Sequence, residues 1–106
     1  PIGTFQAVKH HLATALVDVQ FALPLVERAA QAVAAEDPDA AVHAASAKAF
    51  ATEAAEAAAT HALQVHGAIG YTWECDLQLF MKRSWSLAAS FGSTEHYWRT
   101  LDGSLV

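Results

Sequence analysis

Cys75 is the only cysteine in the 106-residue chain, so no intramolecular disulfide can staple it. Charge is also scarce. Charged side chains make up 16% of the sequence, and acids outnumber Lys and Arg to leave a net charge of −5. With no basic stripe, the chain lacks the electrostatic footprint of a nucleic-acid binder. No apolar run approaches the roughly 20 residues that cross a bilayer, which excludes a membrane-spanning helix. The start has neither the basic nor the apolar region of a secretory signal, so a cytoplasmic setting is expected. No strand-like alternation appears. The chain also has no initiating methionine: it opens at Pro1, in what reads as a loop running into a helix. It is therefore expected to be one domain, residues 1–106, of a longer protein.

Apolar residues make up 54% of the chain, which is rich for a small domain that must cover its own surface. A helical piece that also packs against something else accounts for the excess. Phe5, Val8, Leu12, Leu16, Val19, Leu23, Val26, Ala30 and Val33 recur in steps of three and four, the period of one face of a long helix. Thr4 is positioned to cap it. Pro24 removes one backbone donor inside it and should kink rather than end the helix, because the periodicity resumes unchanged. Glu36-Asp37-Pro38-Asp39 then marks a break, with Asp37 as a cap for the next helix. Residues 40–62 hold thirteen alanines, so this segment is helical almost by composition. It has little apolar bulk and can stabilise a fold only through close approach of its neighbours.

Gly67 and Gly70 end that helix. Thr72 is expected to cap a third, with Glu74 and Asp76 in its first turn, running through Leu77, Phe80 and Met81 to about Phe91. Gly92-Ser93 allows a last short helix from Thr94 to about Asp102, closed by Gly103. The expected fold is all-α: an up-down helical bundle of three long helices plus a short C-terminal one.

The run QVHGAIGYTWECDLQLFMKR, Gln64 to Arg83, holds more glycines, aromatics and defined polar residues than a plain interhelical turn needs. It resembles the signature Q-V-H-G-G-x-G-Y-T-W-E-x-D-L-x-L-x-x-[KR]-R of acyl-CoA dehydrogenases. Pro1-Ile2-Gly3-Thr4-Phe5-Gln6 likewise resembles the P-[IL]-G-x-F-Q entry into their C-terminal helical domain. The two motifs occur in the family's order, separated by a distance that suits two long helices.

The resemblance implies a domain that works with an upstream helical domain and a β-domain to hold FAD and an acyl-CoA thioester. It implies a loop, Gln64, Val65, His66, Gly67 and Ala68, that reaches the FAD of a neighbouring subunit, with Phe5 and Gln6 close to the same cofactor. Gly67, lacking a side chain, suits a close backbone approach to an anionic group, and Gln6 and Gln64 offer both donors and acceptors. A plain helix cap and turn is the simpler reading of Gly67 and Gly70. Ala68 stands where the family has a second glycine. The assembly implied is a homo-oligomer, dimer or tetramer, or a hetero-oligomer with a related subunit.

No catalytic residue is assigned. Many family members place the proton-abstracting glutamate in a Y-E-G-T motif. Here Ser90-Phe91-Gly92-Ser93 aligns with it, so Phe91 holds the glutamate's position. The base stands on an earlier helix, comes from a second type of subunit, or is absent because the protein has another role. Glu95 lies one turn later, but an acid in the first turn of a helix is its simpler reading. Three alternatives therefore stay open: a dehydrogenase, a non-catalytic helical interaction subunit or scaffold, and flavin monooxygenase or nitroalkane oxidase chemistry on the same scaffold. The six histidines include no i, i+4 pair beside a carboxylate, so no metal site is expected. Trp73, Trp85 and Trp98 read as packing or interface anchors, Lys82-Arg83 as a solvated pair, and Cys75 as a thiol without an evident base.

Overall fold

The computed structural model describes residues 1–104, which are helical with no strand among them. A short 3-10 turn, Ile2–Thr4, leads into α1 (Gln6–Ala34), and α2 (Ala40–His66) returns antiparallel to it. A second 3-10 segment, Gly67–Tyr71, connects to α3 (Leu77–Ala89), and α4 (Thr94–Ser104) follows. Helix α2 is the axis of the bundle: α1, α3 and α4 all pack on it.

The expected bundle is present, but its third helix is short. α3 has 13 residues against 29 and 27 for α1 and α2. Thr72 does not cap it. Its backbone is extended and its hydroxyl donates to the Ile69 carbonyl at 2.8 Å, so Trp73 to Asp76 form turns, with Glu74 and Asp76 ahead of the helix. Nor do Thr4 and Asp37 cap their helices. Thr4 Oγ1 donates to the Pro1 carbonyl, leaving Phe5 at the cap position of α1, and Asp39 occupies that of α2. α1 runs through Pro24 without a break, and α4 continues through Gly103 to Ser104.

The α1–α2 turn ends α1 in a Schellman motif. Asp37 N–H bonds the Ala32 carbonyl and Glu36 N–H bonds that of Val33, with Glu36 in the left-handed position at φ 53°. A glutamate there costs about 1–2 kcal/mol relative to glycine. Asp37 closes the turn from the other side by accepting the Asp39 N–H at 2.9 Å and the Arg28 guanidinium at 2.7 Å. Those two contacts, the backbone bond foremost, hold its carboxyl below the usual range.

The face of α1 that meets α2 is not the large-residue stripe of the sequence. The buried and half-buried positions are Val8, His11, Ala15, Asp18, Ala22, Leu25, Ala29 and Ala32, an alternation of threes and fours displaced by about one residue. Alanine on both helices explains this, because two small-residue faces approach more closely than leucine against alanine would allow. The core is correspondingly small-residue: Ala22, Ala29, Ala32, Ala45, Ala47, Ala49 and Ala54, with Met81 and Leu101. α4 is anchored by Trp98, whose ring N–H donates to Glu53 at 2.7 Å and whose ring packs edge-on to Phe50.

Leu12, Leu16, Val19, Leu23, Val26 and Val33 consequently stay exposed along α1, as do Phe80, Trp85 and Phe91 after the bend. A folded chain of 11.3 kDa should expose about 5,700 Å², yet this one exposes 7370 Å². The excess, roughly 1,600 Å², is larger than one partner's share of an ordinary protein–protein interface, about 800 Å². Such a surface is built to be covered.

Candidate functional site

The hairpin register brings the two sequence motifs together. His11 and His61 face each other with their Nδ1 atoms 2.9 Å apart. Counting five residues outward from that pair, back along α1 and forward along α2, the antiparallel register sets Gln6 level with His66 and Phe5 with Gly67. Phe5, Gln6, Gln64, Val65, His66, Gly67 and Ala68 thus gather at the open end of the α1–α2 hairpin, though they lie some sixty residues apart in sequence. All are exposed except Val65, which is half-buried.

The two glycines of this bend have different jobs. Gly67 ends α2 at φ 63°, ψ −145°, a backbone region essentially reserved for glycine, and a Cβ there would meet nothing within 4 Å. Its Cα faces open space. Gly70 is buried: a Cβ would sit 3.0 Å from Leu63 Cδ1 and 3.1 Å from His66 Cβ, so it lets the bend fold onto the last turn of α2. His66 Nδ1 lies 2.7 Å from the Ala62 carbonyl. That oxygen can only accept, so Nδ1 carries a proton, and Nε2 takes no part in this bond.

Beside the bend lies a cleft of about 300 Å³ walled by Trp73, Met81 and Trp85. The Lys82 ammonium sits 4.2 Å from the Trp73 ring centroid and donates to Gln78 Oε1. Lys82 is therefore not a purely solvated charge, as its sequence neighbourhood suggested, but a cation held against an aromatic wall.

Phe91 lies toward the far end of α2. Lys48 on α2 donates to the carbonyls of Leu87 (2.6 Å) and Ala88 (3.3 Å), and it is eighteen residues, about 27 Å, from His66. The helix ends at Ala89, short of Phe91, which takes φ 64° with its carbonyl accepting from the Tyr97 hydroxyl. Its side chain is 90% exposed. Phe91, Phe80, Ala51 and Ala55 border a cleft of about 500 Å³ between α2 and α3, whose only charged lining residues are Lys48 and Arg83. Ser84 Oγ is buried there without a hydrogen-bond partner. Among the described residues, no carboxylate lines this cleft. Glu95 is exposed and paired with Arg99 at 2.6 Å on the surface of α4, so it lacks the desolvated setting a proton-abstracting base needs. Lys48 was not visible as a site residue in the sequence. Lys48→Met should cost about 0.5–1.5 kcal/mol by leaving the last α3 carbonyls uncapped. Urea unfolding checks this, and an unchanged midpoint would mean that water replaces the contact without loss.

A sequence profile described as acyl-CoA dehydrogenase, C-terminal domain, matches residues 1–105. The acyl-CoA dehydrogenase IpdE2 of Mycolicibacterium smegmatis is 37% identical over 105 residues, covering 99% of this chain and 32% of the relative. IpdE2 of Mycobacterium tuberculosis is also 37% identical, covering 99% of this chain and 31% of its own length. FadE34 of the same organism, again named an acyl-CoA dehydrogenase, is 37% identical over 93% of this chain and 14% of its own. The chain thus spans a third or less of these relatives. No solved structure matches it. With a helical fold, the profile covering nearly every residue, and both motifs in register, the chain belongs to the acyl-CoA dehydrogenase family as its C-terminal domain.

Proposed function

We propose that the protein containing this domain is an FAD-dependent dehydrogenase that introduces an α,β double bond into an acyl-CoA thioester. The domain contributes the open end of its α1–α2 hairpin to the FAD of a neighbouring protomer. One observation carries the reading: the bend at the end of the hairpin that also holds the first motif has a leading glycine that is exposed, in a glycine-only conformation, with open space over its Cα. That bend fits a dinucleotide. Gly67 admits close backbone approach, while Gln6, Gln64 and His66 Nε2 are exposed and free to bond the cofactor's polar edges. Phe5, Val65 and Ala68 supply apolar contact, the Ala68 methyl standing where the family has hydrogen. When bound, FAD supplies the hydride acceptor. This chain's residues bind and orient it, and the exposed apolar stripe of α1 is covered in a dimer or tetramer.

Phe91 favours a second reading, in which a related subunit provides the base in a hetero-oligomer and this chain completes its site. The setting proposed is cytoplasmic, and no helix of the described residues is long and apolar enough to cross a membrane. The visible spectrum of the intact parent protein tests both readings. A flavin absorbance that bleaches with acyl-CoA under anaerobic conditions is expected for the dehydrogenase, and bleaching only after a second subunit is added is expected for the hetero-oligomer. A protein that stays colourless after reconstitution with FAD contradicts both.

A further inference from the structure

The buried residues of the α1–α2 hairpin all lie toward its closed end: Ala22, Ala29 and Ala32 on α1, and Ala45 to Ala54 on α2. From Gln6 to Phe21, and from Ala55 to His66, no residue is fully buried. One side-chain hydrogen bond crosses between the two helices among the described residues, and it lies in this loosely packed half: His11 Nδ1 to His61 Nδ1, 2.9 Å, with the rings tilted at 49° and half-buried. We infer that His11 and His61 are positioning residues, a proton-sensitive latch that holds the Phe5–Gln6 segment in register with the Gln64–Ala68 bend. The inference rests on the flavin reading for its purpose but not for its existence.

The chemistry of the latch follows from its atoms. A bond between two ring nitrogens needs one N–H donor and one bare acceptor. Two neutral rings satisfy this, and so does one neutral ring with one cationic. Two cationic rings do not, since both nitrogens then carry protons and like charges meet at contact distance. Nothing nearby offsets that repulsion. The positions one turn to either side on both helices are alanine, valine, threonine or glutamine. The charged and titratable neighbours lie further off. Lys9 and His10 are exposed on α1, Asp18 is two turns along the α1 seam, and Glu56 and His66 are on exposed positions of α2. The latch is therefore kept while at most one ring is protonated and is lost only when both are.

Hydrogen exchange of the full-length protein, read at residues 5–11 and 61–68, tests this alongside flavin occupancy from the visible spectrum. In the wild type, exchange at these segments should be low at about pH 8 and rise at least tenfold in acid that charges both rings, after correction for intrinsic rates. His61→Asn places an amide where Nδ1 stands and does not titrate, so its protection should persist and its pH profile flatten. His61→Ala should be unprotected throughout. Equal exchange in wild type and His61→Ala, or an unchanged pH dependence in His61→Asn, overturns the latch. Exchange that follows the prediction with parallel loss of flavin supports both the latch and the flavin reading. If exchange follows it and flavin occupancy stays constant, the latch stands and these segments lose their flavin role.

Discussion

Gly67→Val in the full-length protein should weaken flavin retention by about tenfold or more, read as absorbance lost on dialysis or as a rise in the FAD dissociation constant. Gly67 sits at φ 63°, ψ −145°, where any side chain costs about 1–3 kcal/mol. A β-branched residue lies at the upper end. The free variant relaxes to another conformation, and binding must restore the original, so the cost appears in affinity, where 1.4 kcal/mol is a factor of ten. The steric effect adds to this, because the space over Cα that is now open would be filled. Thermal stability should change little, since no neighbour contacts that Cβ position. Unchanged flavin occupancy would make the bend a plain interhelical turn.

Ala49→Leu should have the largest effect on folding. Ala49 is fully buried in the middle of α2, the helix that all the others pack upon, as Ala32 is on α1. A leucine there must push a neighbouring helix outward or take a poor rotamer, and overpacking of this kind costs about 1–3 kcal/mol. The small-residue seam has few adjustable side chains to take up the volume, so the upper end of that range is expected. Denaturant midpoints of the parent protein measure it. A substitution at the exposed Leu16, by contrast, should move the midpoint only through contacts between chains or domains.

What was legible in the sequence divides along physical lines. The alanine content of α2 and the acidic, proline-containing turn before it made the hairpin readable, because both act locally. The bend's motif was readable by resemblance, and the hairpin register then explained why residues near the start belong with residues near position 66. The packing seam of α1 was not readable. Hydrophobic periodicity marks the largest residues, whereas an alanine-lined partner selects the smallest, so Ala22, Ala29 and Ala32 face inward and Leu12 and Leu16 do not. Thr72 looked like a cap because the pattern Thr-x-Glu-x-Asp suits one, yet its hydroxyl was taken by the Ile69 carbonyl. Residues joined across long separations, His11 with His61 and Lys48 with the end of α3, leave no mark that a single sequence can show.

The most direct measurement is a structure of the complete holoprotein with FAD bound. The expected result is the dinucleotide of one protomer lying against Gly67 and Gln64 of its neighbour, with Phe5 and Gln6 flanking the same group. A flavin seated elsewhere, with the Gln64–Ala68 bend open to solvent, would contradict it and leave the domain as a helical scaffold.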